Sequence, residues 1–436
     1  MGILLLCIAL SIEIVFAVYC LATKQNHRRL KHGVRMSELL GFTVLLLTPA
    51  ITWNFRWIFL EALLVLLGVI AAVSLVRKKL PIKSYSSFRN IRNAVLMSLA
   101  FLIACTPAIL FPPYKELQAT GEYTVASKTF TYTDPNRIEA FTTSGKNRQV
   151  NVQFWYPEET DNKYPLLVFS HGANGVKSSN VSTFKELASH GYVVCSIDHP
   201  YHSFYTVSDT GEFTLISQAY MKEVQDANKD GVYTPKEVYA LMQNWMKLRT
   251  DDIDFVIDTV LKQSPSGNPS VYSLIDANHI GVFGHSMGAA ASVAVGRSRH
   301  DVEAVVNLDG PYFSELRYDP VTNNFAASDQ PYTTPLLNIY TDDVWKQLGT
   351  NPVYAANHMA KETFKDAYSV YFKGAKHLSL TDLALVSPPL ANFLQGGKAA
   401  VDPVACIKAE NQLILQFFDY TLKGGAPFKF PAEVEL

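Results

Sequence analysis

Residues 279–296 read HIGVFGHSMGAAASVAVG, an apolar run that leads through Gly284, Ser286 and Gly288 into a segment rich in small residues. The pattern Gly-x-Ser-x-Gly between a strand-like and a helix-like run is typical of a nucleophile elbow, a sharp turn that exposes a serine hydroxyl. Glycine is needed on both sides because a Cβ there would collide with the adjoining strand and helix. The segment therefore predicts a nucleophilic Ser286. The alternative is a small-residue turn in which the pattern arises by chance.

Charge is distributed unevenly along the 436-residue chain. Residues 1–111 contain 12 Lys and Arg against 3 Asp and Glu, which leaves 26 basic and 36 acidic residues for 112–436. An acidic domain without a basic stripe argues against nucleic acid as a partner. We therefore divide the chain into a basic, apolar region over 1–111 and an acidic domain over 112–436.

Four apolar stretches predict a membrane region with about four transmembrane helices, so that the lipid bilayer is an expected partner. They are residues 2–22, 39–53, 57–76 and 94–112. The second is shorter than the roughly 20 residues that one crossing needs. The segments 24–35 and 77–92 are strongly basic, and basic loops stay in the cytoplasm. Two crossings must then lie between them, which places the N-terminus and residues 112–436 outside the cytoplasm.

The first apolar stretch could also be a cleaved secretory signal peptide. It lacks the positively charged start of such a peptide, so we interpret it as a membrane anchor. Glu13 lies inside this span, where an ionisable group invites a functional interpretation. A carboxylate paired with a polar neighbour inside the helix bundle is the simpler one.

After residue 112, short β-rich runs alternate with helix-like runs, which predicts one α/β domain with a mainly parallel sheet and helices on both faces. The predicted strands are 148–157, 164–170, 192–198, 279–284, 304–309, 335–341 and 368–374. The predicted helices are 180–190, 250–263, 286–298, 353–364 and 405–422. In such open sheets, active-site groups gather at the carboxyl ends of the strands.

In a serine hydrolase built on such an α/β sheet, the acidic residue that orients the catalytic histidine follows the serine along the chain. Asp309 closes the apolar run AVVNLD and is followed by Gly-Pro, which places its carboxylate at the strand edge beside the elbow. Asp342 and Asp343 follow the next strand and are rivals. We favour Asp309, because an Asp-Asp pair at that position also suits the start of a helix.

The base is expected among the histidines that follow Ser286 at a distance. His300 precedes a strand and His358 lies in a helix-like segment, so both fit the surface better. His377 lies in the loop KGAKHLSLTD after a predicted strand, where its ring can reach the serine. We therefore predict His377 as the base.

Two backbone N–H groups are expected to stabilise the oxyanion: that of Met287, directly after the nucleophile, and that of Ala173, in the loop after strand 164–170. His171 is expected only to shape this loop. His285, inside the elbow, is expected to point away from the reaction side and to have no role.

The segments PLLVFSHGANG, FKELASHGYVVCSIDH, GVFGHSMGAA, AVVNLDG and KGAKHLSLTD occur in this order, and together they resemble the plasma-type platelet-activating factor acetylhydrolase family and its bacterial relatives among dienelactone-hydrolase-like esterases. The resemblance covers about residues 120–425. It implies an α/β-hydrolase fold and a serine esterase active on short-acyl or oxidised phospholipid esters. Carried over, it implies Ser286 as nucleophile, Asp309 as acid and His377 as base, with Ala173 and Met287 as oxyanion donors. The chain departs from the family in Met287, where an aromatic residue is frequent, in the membrane region, and in a long block inserted after SIDH.

The inserted block, near residues 207–248, contains DANKDGVYTPKE at 226–237, which fulfils the pattern of an EF-hand calcium loop. Gly231 allows the sharp turn that such a loop makes. The predicted calcium ligands are Asp226, Asn228, Asp230, the Val232 carbonyl and Glu237. We predict a structural Ca²⁺; the alternative is an acidic turn without a metal.

The leading hypothesis is a membrane-anchored serine hydrolase that cleaves lipid or other small carboxylic esters through an acyl-enzyme, a reaction that needs no cofactor. A non-lipid esterase, a polyesterase and an acyltransferase are alternatives within the same chemistry. A calcium-stabilised membrane binding module with an inactive triad is the alternative from another class. The cysteines show no metal-ligand spacing, and a disulfide between Cys195 and Cys406 is left open.

Overall fold

The computed structural model describes residues 1–77, 84–158, 162–264 and 270–436. Contacts divide the chain into two compact units. The first consists of Met1–Tyr114 and Val386–Leu390, and the second of Lys115–Leu385 and Ala391–Leu436. Residues 78–83, which belong to the predicted basic loop 77–92, lie outside the described residues.

The first unit is helical. Its long helices are α1 Gly2–Thr23, α2 Arg28–Leu46, α3 Ile58–Val76 and α4 Ser87–Leu110. Among the described residues, three helical segments are long and apolar enough to cross a membrane: Gly2–Thr23, Phe55–Val76 and Ser87–Leu110. The prediction of four such spans is therefore not confirmed.

The second predicted span, 39–53, is wrong in its bounds. Helix α2 begins at Arg28, inside the predicted basic loop 24–35, and ends at Leu46. Arg, Lys and Leu are good helix formers, so the basic stretch continues the helix instead of interrupting it. Pro49 disfavours a helical conformation at the residue before it, which agrees with the early end.

Within this unit, Arg35 of α2 is buried and forms ion pairs with Glu13 of α1 and, at 2.7 Å, with Glu38. The expected polar neighbour of Glu13 is therefore an arginine on the adjacent helix. A buried carboxylate needs such a partner because an isolated charge is strongly disfavoured away from water.

The second unit is built around a mixed sheet. The strands in its described residues are β1 Val125–Ile138, β2 Asn147–Pro157, β3 Tyr164–Ser170, β4 Val193–Asp198, β5 Tyr205–Val207, β6 Phe213–Leu215, β7 Ile275–His285, β8 Val302–Leu308, β9 Leu316–Asp319, β10 Asn324–Ala327, β11 Leu336–Thr341, β12 Ala367–Lys373 and β13 Glu433–Glu435. Nine of them form one sheet in the order β1-β2-β4-β3-β7-β8-β11-β12-β13. The pairs β1–β2 and β2–β4 are antiparallel, and all pairs from β4 to β13 are parallel. The predicted mainly parallel sheet is thus confirmed.

Helices follow the strands along the chain after residue 115. They are α5 Val181–Ser189, α6 Gln218–Ala227, α7 Pro235–Gln263, α8 Met287–Ser298, α9 Asp342–Trp345, α10 Ala355–Thr363, α11 Leu383–Val386, α12 Pro388–Leu394 and α13 Pro403–Leu422. Helix α7 is longer than predicted because the helix-like segment after the calcium motif continues without a break into the predicted helix 250–263. Its start is fixed by a capping box in which Thr234 and Glu237 exchange hydrogen bonds.

Two apolar cores cover the two faces of the sheet. Leu166 and Val168 of β3 lie in the core that contains residues of α7 and α8, and Leu167 and Phe169 lie in the core that contains residues of α5 and α13. Successive side chains of a strand point to opposite faces, so a strand covered on both sides reads as a continuous apolar run. Burial of this sheet therefore explains why its central strands were recognisable in the sequence.

Candidate active site

The turn between β7 and α8 has the geometry of a nucleophile elbow. Ser286 has φ 56° and ψ −121°, a conformation that L-residues rarely adopt. Its N–H donates to the Leu308 carbonyl at 2.8 Å, which ties the turn to the adjacent strand. A Cβ on Gly288 would lie 1.9 Å from the Ser170 carbonyl oxygen, and a Cβ on Gly284 would lie 2.4 Å from the Gly288 carbonyl carbon. The glycines of the motif thus allow the helix to start directly against the strands.

Asp309 lies at the carboxyl end of β8 and is fully buried. Its backbone φ is 57°, so it also occupies a left-handed conformation. One carboxylate oxygen accepts the Thr341 N–H and the other accepts the Thr341 hydroxyl, both at 2.7 Å. The second oxygen also lies 2.7 Å from Nδ1 of His377. The Asp309 carboxylate is therefore held in one orientation and directed at the imidazole ring.

Three contacts hold His377, whose side chain is about one-third exposed. Its Nδ1 bonds to Asp309, its N–H donates to a carboxylate oxygen of Asp343 at 2.8 Å, and its carbonyl accepts from Nε2 of His285 at 2.9 Å. Because a carboxylate can only accept here, the Nδ1 of His377 carries the proton and its Nε2 is left with a lone pair. This is the tautomer that a general base requires.

The prediction that His285 points away from the reaction side is wrong, because its side chain contacts His377. Its ring is buried with its centroid 4.5 Å from that of His377, and burial lowers the pKa of His285 well below the usual value. It therefore stays neutral, with the Nε2 proton directed at the His377 carbonyl. The sequence position gave no warning of this, because the contact depends on how the loop after β12 folds back over the elbow.

The rival acids and bases occupy other positions. The Asp342 carboxylate accepts from the Tyr371 hydroxyl at 2.7 Å and from the Gly374 N–H at 2.8 Å. Asp343 reaches the backbone of His377 and not its ring. His300 and His358 are both exposed. Among these candidates, the geometry brings only Asp309 to the His377 ring.

Ser286 is half-buried and directly follows His285, which contacts His377. Among the described residues, no hydrogen bond joins the Ser286 hydroxyl to the His377 ring. Catalytic hydrogen bonds are often long before a substrate is bound and shorten in the complex.

The loop after β3 packs directly against the elbow. A Cβ on Gly172 would lie 3.2 Å from the Ser286 Cβ, so glycine permits the close approach. Ala173, whose N–H is one predicted oxyanion donor, follows in this loop and is half-buried. Met287, the other, is the first residue of α8, where backbone N–H groups have no partner within the helix.

The buried ring of His171 shapes this loop, as expected. Its Nδ1 lies 2.6 Å from the Gly172 carbonyl oxygen and its Nε2 lies 2.7 Å from the Ser203 hydroxyl. Burial lowers the pKa of His171 well below the usual value, and the positive charge of Arg249 lowers it further. His171 is therefore neutral, with its proton on Nδ1 and the Ser203 hydroxyl as a donor to Nε2. Sequence reasoning missed both Ser203 and Arg249.

The predicted calcium ligands do not converge in the structure. Asp226 forms ion pairs with Lys222 and, at 2.9 Å, with Lys229, while Glu237 accepts the Thr234 N–H in the capping box of α7. The other three predicted ligands lie on the exposed turn between α6 and α7: Asn228, Asp230 and Val232. In the described part of the chain, no group of three or more His, Cys, Asp and Glu is placed to hold a metal. As placed, these residues do not form a calcium cage, and the ion stays a prediction from the sequence.

Cys195 and Cys406 are both buried and free. They belong to different apolar cores, on opposite faces of the sheet.

The model of the family described as platelet-activating factor acetylhydrolase, isoform II, matches residues 137–426. A probable 1-alkyl-2-acetylglycerophosphocholine esterase of Arthroderma benhamiae is 27% identical over 189 residues, which are 42% of this chain and 41% of that protein. The platelet-activating factor acetylhydrolase of Bos taurus is 21% identical over 281 residues, which are 59% of this chain and 57% of that protein. The chain thus spans about half the length of these curated relatives.

Among solved structures, the chain is similar to the ferulic acid esterase from Streptomyces cinnamoneus, with a TM-score of 0.53 and 20% sequence identity. The match covers 72% of this chain and 96% of that chain. At this level of identity the similarity concerns the fold.

Proposed function

The chain belongs to the family of platelet-activating factor acetylhydrolases, isoform II, and from that premise we propose that it is a serine hydrolase of carboxylic esters. The proposal is carried by two observations: the strained Ser286 directly follows His285, which binds the His377 carbonyl, and Nδ1 of His377 lies 2.7 Å from the buried Asp309 carboxylate. In this proposal Ser286 is the nucleophile, His377 the general base and Asp309 the acid that holds the ring.

The reaction runs in two halves. The Ser286 oxygen attacks the ester carbonyl carbon while its proton moves to Nε2 of His377. The N–H groups of Ala173 and Met287 stabilise the negative oxygen of the tetrahedral intermediate. The intermediate expels the alcohol, which takes the proton from His377, and the acyl group remains on Ser286. Water then attacks the acyl-enzyme with the same proton transfers and releases the carboxylic acid.

An ester of a short acyl chain on a glycerophospholipid is the substrate class that we propose. The printed names of the two curated relatives support it. An exposed apolar patch beside the site also supports it: Phe204, Phe213 and Leu215 lie on or next to the β5–β6 hairpin and are each more than half exposed. The Phe204 N–H donates to the Gly175 carbonyl at 2.9 Å, which links the patch to the loop that carries Ala173. Exposed apolar patches of this kind favour contact with lipid.

We propose further that the N-terminal helices anchor the enzyme in a membrane, with the hydrolase unit outside the cytoplasm. Three apolar helices support the anchor. The orientation rests on the basic segments 24–35 and 77–92, which both stay in the cytoplasm only if the chain crosses the membrane twice between them: once through α3 and once through residues 36–53. Protease protection in sealed vesicles tests it: the hydrolase unit should be cleaved from the outside without detergent.

Labelling of the full chain in detergent micelles with a fluorophosphonate probe tests the enzymatic proposal. We expect the wild-type chain and Ser298→Ala, a surface variant on the same helix, to be labelled, and Ser286→Ala to remain unlabelled. p-Nitrophenyl esters of graded chain length then report the acyl preference. An unlabelled wild-type chain, or equal labelling of Ser286→Ala, would refute the assignment.

A further inference from the structure

Arg249 is a fully buried cation on α7. It shares the buried face of that helix with Met242, Trp245, Met246, Ile253 and Val256. In the described part of the chain, no carboxylate lies within 4 Å of it, and the nearby Asp252 is paired with Arg148 at 2.7 Å. Burial of an arginine without an anion is strongly unfavourable. Such an arrangement calls for an explanation beyond packing.

The partners of Arg249 are oxygen atoms at the end of β3 and in the following loop. Its guanidinium donates to the His171 carbonyl, to the Gly172 carbonyl at 3.3 Å and to the Ser170 hydroxyl at 3.4 Å. The Gly172 carbonyl also accepts from Nδ1 of His171 at 2.6 Å. With the Gly175 N–H at 3.1 Å, three donors hold the carbonyl end of the Gly172–Ala173 peptide.

The other end of that peptide is the N–H of Ala173. In a planar trans peptide the C=O and N–H bonds point in opposite directions. Because Arg249 holds the Gly172 oxygen, the Ala173 N–H must point away from the guanidinium. A cation at the carbonyl end also polarises the peptide and makes its N–H a stronger donor.

The second predicted donor is linked to the same cation. The hydroxyl of Tyr220, a buried residue of α6, donates to the Met287 sulfur at 3.2 Å, and Tyr220 also lies near enough to Arg249 to interact with its charge. The His202 ring stacks on Tyr220 with centroids 3.6 Å apart. Helices α6 and α7, which lie between β4 and β7 along the chain, thus supply Tyr220 and Arg249 to the two residues that carry the candidate oxyanion donors.

We propose that Arg249 is a positioning residue of the oxyanion hole: it fixes the Gly172–Ala173 peptide with its N–H directed at the reacting oxygen and places an unneutralised positive charge behind it. This inference rests on the proposed ester hydrolysis. A charge at this place stabilises the anionic transition state more than the neutral substrate, so its effect belongs in kcat and not in KM.

The test compares Arg249→Met and Arg249→Lys with the wild-type chain in detergent micelles. Arg297→Met is the control, because Arg297 is a partly exposed arginine on α8 that pairs with Glu315. Turnover of p-nitrophenyl acetate gives kcat and KM, and a trifluoromethyl ketone, which forms an oxyanion with the serine, gives the affinity for a transition-state analogue. For Arg249→Met we expect kcat to fall by roughly 10- to 100-fold with KM nearly unchanged, and the ketone affinity to fall in parallel. Lysine keeps the charge but loses the two-pronged geometry, so Arg249→Lys should lose about 3- to 10-fold.

A merely structural role predicts a different result, namely a lower melting temperature with kcat and ketone affinity of the folded fraction unchanged. If Arg249→Met fails to fold, Arg249→Lys decides, and wild-type kcat and ketone affinity in that variant overturn the inference. An active wild-type chain with unaffected Arg249 variants refutes this inference alone. A wild-type chain that neither hydrolyses esters nor reacts with the fluorophosphonate refutes the proposed function together with it.

Discussion

Thr341 binds both oxygens of the buried Asp309 carboxylate, one through its N–H and the other through its hydroxyl, each at 2.7 Å. The two residues end neighbouring parallel strands, β8 and β11, whose carboxyl ends meet at the same edge of the sheet. This pair leaves the second carboxylate oxygen directed at Nδ1 of His377. Thr341, at the end of β11, therefore sets the orientation of the His377 ring through Asp309, without contacting the ring itself.

Asp309→Asn is expected to lower kcat for p-nitrophenyl acetate by about 10³- to 10⁴-fold, because an amide can donate to Nδ1 and so stabilises the wrong tautomer. Thr341→Val removes only the hydroxyl and keeps the N–H, so a loss of roughly 3- to 10-fold is expected. Thr334→Val is the matched control, since its hydroxyl bonds to the Gly296 carbonyl away from the site. Full activity of Asp309→Asn would transfer the role to Asp343, which already binds the backbone of His377.

His285→Phe preserves a buried ring but removes the hydrogen bond to the His377 carbonyl. We expect kcat to fall by about 10-fold, because the base loses one of its three anchors. Since burial lowers the pKa of His285 well below its usual value, the ring is neutral at working pH, and the loss should be the same at pH 6.5 and pH 9. His279→Phe, a partly exposed position on the same strand that pairs with Glu303, is the control. A deficit that appears only at one pH would mean that His285 acts through its charge.

Gly288→Ala is expected to abolish the native elbow. The added Cβ would lie 1.9 Å from the Ser170 carbonyl oxygen and 2.5 Å from that of His171, and backbone atoms cannot move aside as a side-chain end can. We expect the variant to lose fluorophosphonate labelling and to melt lower than wild type. Gly33→Ala, on α2, meets no atom within 4 Å and should retain labelling. Normal labelling of Gly288→Ala would show that the strand and helix are not in this close contact.

Asp382 follows the loop of His377 and accepts the Ser182 N–H at 2.8 Å. Burial raises the pKa of Asp382 from 3.8 to about 6, although the bonds from Ser182 lower it. Between about pH 4 and 6 the folded chain therefore holds a proton that the unfolded chain has released, so this group loses stability as the pH rises through 6. On going from pH 4.5 to pH 7.5, we therefore expect the free energy of unfolding of Asp382→Asn to rise relative to that of wild type by about 2 kcal/mol.

The fully buried Glu410 should behave with the same sign, because burial raises its pKa well above the usual value. Thermal melts of Glu410→Gln and Asp382→Asn at the two pH values measure the effect. The exposed Asp329→Asn serves as the control. An equal difference from wild type at both pH values would mean that neither carboxyl group changes its protonation on folding.

The sequence predicted the central strands closely, since residues 164–170 coincide with β3 and the others agree within a few residues. Strands buried on both faces leave a continuous apolar run, and that pattern survives without knowledge of neighbours. Edge strands leave no such trace: β1 mixes polar residues with Pro135, and β13 is only Glu433–Glu435. Their pairing is decided by the sheet that is already formed.

The candidate site was predictable where each group ends a strand or carries a motif, as with Ser286 and Asp309. Contacts through the backbone, such as that of His285 with His377, depend on loop geometry and were missed. The burial of Arg249 was predictable from the sequence, because apolar residues lie three or four positions before and after it along α7. A charged residue at such a core position predicts a buried role, although it does not reveal the partner.

In the calcium loop, the sequence motif predicts a metal site, whereas the observed contacts are ion pairs with lysines. A loop that matches the motif at every ligand position predicts binding, with a dissociation constant of about 10⁻⁴–10⁻³ M for extracellular modules. In the structure the Asp226 carboxylate is already paired with Lys222 and Lys229, both half-exposed or more. Calcium must therefore displace two lysines, which weakens its binding.

We expect 5 mM CaCl₂ to raise the melting temperature of the full chain by about 2–4 °C over that in a chelator, since a ligand that binds only the folded state stabilises it. Glu237→Gln should remove this difference. Lys222→Met combined with Lys229→Met should enlarge the difference in melting temperature at lower calcium, because the Asp226 carboxylate is then free. The control is Lys247→Met, which breaks an exposed pair with Asp251 on the next helix and should leave the difference unchanged. Identical melting curves with calcium and chelator, in the wild-type chain and in the lysine double variant alike, would show that the loop binds no calcium.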